Sequence, residues 1–288
     1  MTKQHPVRVW ITGSQGLIGR ALMGGAGLLG PGYSVRGLTR QELDLVDFKA
    51  VDRERGRDKP DIIIHCAAMT VVSLAQKNPE AAHRINFETT RHLVEHDGDT
   101  RMVFFSTDLV FDGCRGNYQE TDPVNPLHVY GETKAKAEMA ALRNPKNLVV
   151  RTSLNGGASA SGNRAFNEQL RESIKTPGAV MTLFTDEFRC PIAAVETARA
   201  VWQLVLGGHA GMFHLAGAEK LSRWQMGCIL AERWGVAMDK IRPGLAKEFT
   251  GPPRALDTSL DIHKIQSVLP QPLPGLRVWL KANPLADF

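Results

Sequence analysis

The chain has 288 residues, with 35 Lys and Arg against 30 Asp and Glu, for a formal charge of +5. Hydrophobic residues make up 43 % and charged residues 23 %, ordinary globular usage that excludes a disordered or fibrous chain. The length suits two modest domains or one large one. The richest apolar run, residues 62–72, contains His65 and Thr70 and falls short of the roughly 18 residues that a membrane span needs. Residues 1–10 hold Lys3, His5, Pro6 and Arg8 and no apolar signal core. Cys66, Cys114, Cys190 and Cys228 lie far apart without paired spacing, which points to reduced thiols in a cytoplasm rather than to disulfides or a zinc knuckle.

In chain order, residues 7–12 form a short apolar strand, and 17–23 open a helix that a glycine-rich stretch ends. A second strand is expected at 35–38, a polar helix at 46–57, and a buried strand with three consecutive isoleucines at 61–68. Residues 78–96 suit a helix, followed by a strand at 102–106, a helix at 130–143 and a strand at 148–151. Alternation of apolar strands with helices predicts an α/β fold, a doubly wound parallel sheet of Rossmann type covered on both faces. Beyond residue 153 the rhythm breaks. A Gly, Ser and Ala-rich loop spans 155–163, helices are expected at 195–206 and 222–234 with a strand at 212–216, and a proline-rich tail should be mostly loop. The simplest division is a nucleotide-binding domain over 1–153 and a smaller mixed α/β substrate domain over 154–288. Part of about 190–207 should pack back on the first domain.

The charge has an uneven address. Residues 1–41 carry Lys3, Arg8, Arg20, Arg36 and Arg40 and no carboxylate, while the remainder is balanced. Five charges over 41 residues form no dense basic tract, so a bound small anion is the sharper expectation and nucleic acid is set aside.

Three motifs carry chemistry. Thr12-Gly13-Ser14-Gln15-Gly16-Leu17-Ile18-Gly19 joins a strand to a helix, where glycines let backbone amides approach a pyrophosphate at the helix N-terminus; the same glycines also serve strand-to-helix packing. In Tyr130-Gly131-Glu132-Thr133-Lys134, the four-residue spacing puts Tyr130 and Lys134 on one helix face, where an ammonium is expected to lower the phenol's proton affinity for acid–base work. At Phe104-Phe105-Ser106-Thr107-Asp108 a strand ends in hydroxyls and a carboxylate, the place where open parallel sheets bind ligands. A strand-end turn or helix cap would use the same residue types. The run His92-Leu93-Val94-Glu95-His96 matches an inverted zincin pattern, yet it falls at a helix end before a turn, where histidines suit the dipole; no metal is expected.

Taken together, the motifs resemble the extended short-chain dehydrogenase/reductase superfamily and, more narrowly, the dTDP-4-dehydrorhamnose reductase family. The likeness includes Leu43-Asp44-Leu45, Pro60-Asp61 to Ala67-Ala68, Ser106 to Gly113, Pro126 to Gly131 with Lys134 and Glu138, Arg151-Thr152-Ser153, Arg189-Cys190-Pro191 and Phe213 to Gly217. That resemblance implies reduction of a 4-keto group on a nucleotide-activated deoxysugar. Tyr130 would supply the proton, Lys134 would hold the nicotinamide ribose and Thr107 would polarise the carbonyl. Gly13, Ser14, Gln15, Gly16, Leu17, Ile18 and Gly19 would cradle the pyrophosphate, Cys66, Ala67 and Ala68 would line the cofactor, and Asp44 with Leu45 would flank the adenine. Residues 33–41 hold Arg36 and Arg40 and no acid, so NADPH is expected over NADH, with Arg40 on the 2′-phosphate.

Substrate contacts are expected from Thr107, Asp108 and Leu154. The resembled reductases carry Trp where Leu154 stands and Val-Asp-Lys-Ala-Glu where this chain has Val72-Ser73-Leu74-Ala75-Gln76, so the sugar and the nucleotide stay open. Two other readings remain: a nucleotide-sugar epimerase of the same superfamily, and a non-catalytic NADP-binding regulator resembling the methionine adenosyltransferase beta subunit. A cytoplasmic monomer or homodimer is expected, without nucleic-acid or membrane partners.

Overall fold

The computed structural model describes residues 5–95, 99–162, 165–286 and 288. Strand β1 (Val7–Thr12), helix α1 (Leu17–Gly24), β2 (Tyr33–Leu38), α2 (Phe48–Asp58) and β3 (Ile62–His65) open the chain. The Asp47 carboxylate caps α2 by accepting from the Ala50 amide at 3.0 Å. The strand expected over 61–68 stops at His65, because the Thr12 hydroxyl takes over from the ladder. It bonds His65 Nδ1 at 2.7 Å and accepts the Ala67 amide at 3.3 Å, turning the chain out of the sheet.

The helix expected at 78–96 is three pieces preceded by one that the sequence reading missed, α3 (Val72–Lys77). Asn78 interrupts, and Pro79 stands at the first position of α4 (Pro79–His83), where a missing N–H costs nothing. A π-helical turn, Arg84–Glu88, then leads into α5 (Thr89–Glu95). His96, Gly98 and Lys3 lie outside the described residues. Strand β4 (Arg101–Thr107), helix α6 (Val129–Ala141) and β5 (Leu148–Thr152) complete the first half.

The second half is less regular. It runs through β6 (Asn155–Gly156), α7 (Phe166–Lys175), β7 (Met181–Phe184), β8 (Phe188–Arg189), β9 (Ile192–Ala193) and α8 (Ala194–Leu206). It continues with β10 (Gly211–Leu215), β11 (Leu221–Ser222), α9 (Arg223–Arg233), β12 (Ile241–Gly244), α10 (His263–Gln266) and α11 (Leu276–Ala282).

Six parallel strands form the central sheet in the order β10-β5-β4-β3-β1-β2. Alternate residues feed its two faces: Val9, Ile11, Ile62, Ile64, Val103 and Phe105 enter one core, Trp10, Ile63, Met102 and Phe104 the other. That double burial explains why these strands read as continuous apolar runs. The chain returns to this sheet late. Helix α8 packs on α1, where Trp202 Nε1 donates to the Leu22 carbonyl at 3.1 Å, and β10 pairs with β5, so the return runs past residue 207 to 215. Leu170, Leu183, Leu221, Leu230, Leu276, Trp279 and Phe288 build a separate core in the second half.

A buried ion pair braces α6 against the sheet. Arg151 on β5 forks onto Glu138 of α6 at 2.9 and 2.8 Å and reaches the Glu120 carbonyl at 3.4 Å. Both side chains are about 95 % buried, and the Glu120 carboxylate in turn accepts the His214 amide of β10 at 3.0 Å. Removing one partner strands a buried charge, so Glu138→Ala should destabilise the fold by about 3–5 kcal/mol in urea denaturation. Glu138→Leu combined with Arg151→Met should recover most of that loss.

Candidate active site

The winding of the sheet reverses between β1 and β3, the switch point at which open α/β sheets bind ligands. The glycine turn sits there. Gly13 has φ +67°, and a Cβ on it would stand 2.8 Å from the Ala67 nitrogen; one on Gly19 would collide with the Gly13 carbonyl oxygen. Tight packing therefore accounts for these two glycines by itself. Gly16 and Gln15 are exposed, and α1 begins at Leu17, so the amides of its first turn have no intrahelical partner and point out at the end of the sheet. Ser14 is buried and Ile18 packs on the first core, whereas Leu17 lies against Gly157. An exposed amide cradle at a helix N-terminus fits a pyrophosphate.

Beyond β2, the two arginines part company. Arg36 turns onto α2, pairing with Glu54 at 2.5 Å and Asp58 at 3.3 Å. Arg40 stays about four-fifths exposed, with Asp44 at 3.5 Å, and is the one free to meet an added phosphate. Asp44 also accepts the Val46 amide at 3.2 Å, and Leu45 packs on the core behind β2. Cys66, Ala67 and Ala68 follow β3 as the half-buried wall opposite the glycine turn. Burial pushes the Cys66 thiol far up, so it stays protonated.

Across the switch, the ends of β4 and β5 meet with Thr107 opposite Thr152. His128 caps α6 by accepting the Gly131 amide on Nδ1 at 3.2 Å, which launches Tyr130 into the site. Tyr130 is 8 % exposed and packed among Ala75, Ala82, Met69, Val72 and Leu109, with Thr107 beside its phenol. The missed helix α3 thus supplies part of its cover.

Burial raises the Tyr130 phenol above its ordinary value of 10, so the expected lowering by Lys134 is not what the structure gives. Desolvation leads and the Asp108 charge adds to it, with no offset from Lys134. Lys134 is itself buried: its Nζ lies 3.9 Å from the centre of the Phe104 ring, and burial pulls its pKa down to about 7 against the pull of Glu138. His65, whose Nε2 is buried without a partner, is driven down to about 3 by desolvation and the nearby ammonium, and is neutral.

Asp108, expected to meet the substrate, is occupied instead. It accepts Thr107 Oγ1 at 3.2 Å, Ser153 Oγ at 2.9 Å and Thr258 Oγ1 at 2.8 Å, with Arg189 at 3.5 Å. It is 4 % exposed and lies beneath Thr107 as a support. Arg189 passes the charge to Glu187, fully buried among Arg189, Arg223 and Arg254. Burial would lift the Glu187 carboxyl, yet the three guanidiniums hold it at about 2. Leu154 packs partly into the second core. His92 bonds Asp52 at 2.8 Å and stacks on Phe48, away from the strand ends.

Ser153 stood in the Arg151-Thr152-Ser153 likeness without a role, whereas Thr258 and Asn86 carried no local signal: Thr258 lies in an irregular segment and Asn86 is an isolated polar residue in a helical stretch. Lys134 gives a measurable signature. Its folded value of about 7 lies below the ordinary 10.5, so the unfolded chain binds the extra proton between these values. The burial penalty is therefore complete below pH 7 and is relieved as pH rises to 10.5. Thermal unfolding of ligand-free protein should show the parent gaining on Lys134→Met across that window, and parallel curves would refute the buried ammonium.

Comparison with known proteins agrees with this geometry. The model of the RmlD substrate binding domain family matches residues 7–283. A dTDP-4-dehydrorhamnose reductase of Mycolicibacterium smegmatis is 31 % identical over 244 residues, 82 % of this chain and 72 % of that protein. Methionine adenosyltransferase 2 subunit beta of Xenopus tropicalis is 27 % identical over 274 residues, 91 % of this chain and 82 % of that protein. The crystal structure of a hypothetical dTDP-4-dehydrorhamnose reductase from Sulfolobus tokodaii superposes with a TM-score of 0.83 at 31 % identity, covering 93 % of this chain and 97 % of that one. With a six-strand parallel sheet and a family match over nearly its whole length, the chain belongs to the RmlD substrate-binding-domain family of extended dehydrogenase/reductase proteins.

Proposed function

We propose that the protein is an NADPH-dependent reductase acting on the 4-keto group of a nucleotide-activated deoxysugar. The observation that carries this reading is a buried, protonated Tyr130 phenol beside Thr107 at the end of β4. A phenol that holds its proton above pH 10 is a donor, which suits carbonyl reduction. When bound, the reduced nicotinamide supplies the hydride to the keto carbon. Tyr130 gives its proton to the keto oxygen, while the Thr107 hydroxyl, steadied by Asp108, orients that oxygen.

The first-turn amides of α1 would hold the pyrophosphate, Arg40 the 2′-phosphate and Lys134 the nicotinamide ribose. Cys66, Ala67 and Ala68 would line the nicotinamide side, and Asp44 with Leu45 the adenine. Residues 1–153 would form the nucleotide half and 154–288 most of the substrate half, with Leu154 leaving a smaller contact than the tryptophan of the resembled reductases. Relatives that match over 91 % of the chain are adenosyltransferase beta subunits, so a regulator that binds NADP without turnover is the second reading.

Purified protein with NADPH and a panel of nucleotide 4-keto sugars separates the two. The reductase consumes NADPH with at least one sugar, whereas tight NADPH binding without turnover on any of them supports the regulator. Tyr130→Phe should lower kcat by about 10²–10⁴-fold with the fold intact; unchanged turnover would refute the proton donor. Arg40→Ala should weaken NADPH by about 10–100-fold, the worth of a charged hydrogen bond, and leave NADH nearly unchanged. An unaltered preference would remove Arg40 from the phosphate.

A further inference from the structure

The helix that carries Tyr130 is capped by an atom that titrates. Asp47 and Ser222 cap α2 and α9 through oxygen, whereas α6 depends on a ring nitrogen of His128. The Gly131 amide donates to Nδ1 at 3.2 Å, so that nitrogen presents a lone pair and the neutral ring keeps its proton on Nε2. His128 is buried, and its ring lies 6.3 Å from that of Tyr130 at an interplanar angle of 25°.

Amides in the first turn of a helix have no carbonyl one turn back to receive them, so they rely on side chains. Val129 donates to Gln76 Oε1 at 3.3 Å and Gly131 to His128, with Tyr130 between the two. Gly131 leaves no slack: a Cβ on it would stand 2.3 Å from the Leu109 carbonyl oxygen and 2.8 Å from Cβ of Pro126. A proton on Nδ1 would turn the acceptor into a donor facing another donor, leaving the Gly131 amide buried without a partner. We infer that His128 is a positioning residue that holds Tyr130 in place only while its imidazole is neutral, so that acid releases the proton donor from the site. The inference rests on the proposed role of Tyr130.

Groups on three elements decide how readily that proton arrives. Burial opposes it most and keeps the imidazole below its ordinary value of 6.5. Arg189 of β8 opposes it too, whereas Asp108 beyond β4 and Glu132 on α6 itself favour it. The unfolded chain therefore takes up the proton near pH 6.5, before the folded one does. The contribution of neutral His128 is complete above pH 6.5 and is lost as pH falls through the lower folded value.

The test compares the parent with His128→Asn, whose cap oxygen does not titrate, and with His128→Ala, which has no cap. On the full chain, the nitrogen NMR shift of Nδ1 follows the proton and the ring signals of Tyr130 follow its placement. Exchange of the Gly131 amide, corrected for its intrinsic pH dependence, follows the cap, and sugar turnover with NADPH follows the site. Each turnover profile is normalised to its own value at mildly alkaline pH, so that titrations common to all three proteins, that of Lys134 included, cancel. As Nδ1 of the parent gains its proton, the Gly131 amide should exchange about tenfold faster, the cost of a buried amide left unpaired. Over the same range kcat should fall about tenfold relative to His128→Asn, with KM for the sugar within about twofold. His128→Ala should start about tenfold below the parent and show no such acid limb.

Profiles of parent and His128→Asn that run parallel through the protonation of Nδ1 would overturn the inference, because the cap would then be structural only. An Nδ1 that stays unprotonated down to the pH at which the protein unfolds overturns it as well, as does a Gly131 amide that stays protected beside a protonated ring. Should His128→Ala not fold, the parent and His128→Asn decide between these outcomes by themselves. Absence of turnover on any sugar at any pH would fail the reductase reading alone. In that case Tyr130 ring signals that move with the Nδ1 proton in the parent and not in His128→Asn support the inference, and signals that stay put in both overturn it.

Discussion

Helix α6 buries four polar side chains on its way past the sheet, and the surrounding structure is organised around the cost of doing so. Tyr130, Thr133, Lys134 and Glu138 are each less than a tenth exposed. An unpaired polar group in such a place costs roughly 1–3 kcal/mol and a charge more. Each is met from elsewhere in the chain: Thr107 stands beside the phenol, Asn86 bonds the threonine, the Phe104 ring lies against the ammonium and Arg151 pairs with the carboxylate. These partners come from β4, the π-helical turn and β5, so satisfying one helix fixes the relative placement of three other elements. Asp108 extends the scheme into the second half through Ser153, Thr258 and Arg189.

Two opposite protonation tendencies result from the same cause. Burial penalises charge, so the phenol holds its proton while the ammonium gives its proton up near neutral pH. The pair is poised as a donor beside a reluctant cation, instead of the phenolate beside a stable ammonium that helix spacing by itself suggests. Without a ligand, Glu138, Cys66 and the Phe104 ring offset only part of the desolvation of Lys134. A bound ribose offering hydroxyl acceptors would relieve it, which couples stability of the fold to occupancy of the nucleotide site.

Much of the sheet was legible because its signals are local. Ile62, Ile63 and Ile64 read as a doubly buried strand, and the glycine turn read as a junction of strand and helix. The ends of elements were less legible where side chains replaced backbone pairing: Thr12 stops β3 early, and Asn78 with Pro79 splits a helix that periodicity draws as one. In the candidate site, Thr107 could be picked out from its strand end and Tyr130 with Lys134 from their spacing, but the hydrogen bonds that occupy Asp108 could not. That depends on Ser153 and Thr258, separated from it by 45 and 150 residues, and no local pattern encodes such a meeting. Arg36 and Arg40 illustrate the same limit. Both read as bases near a phosphate, and only the approach of α2 with Glu54 and Asp58 takes one of them away.

The cost of burying α6 also bears on the choice between enzyme and binding protein. A subunit that only displays a nucleotide could hold it with the α1 amides, Arg40 and the 66–69 segment, all of which lie outside α6. Nothing in that task asks for a phenol in a dry pocket, a threonine beside it at the end of β4, or a lysine whose charge is unfavourable below pH 7. Local choices that oppose stability concentrate where chemistry requires them. Apolar residues at 130 and 134 would pack against Ala75, Ala82 and Phe104 at lower cost, and their absence places the weight of the structure on proton transfer at a carbonyl.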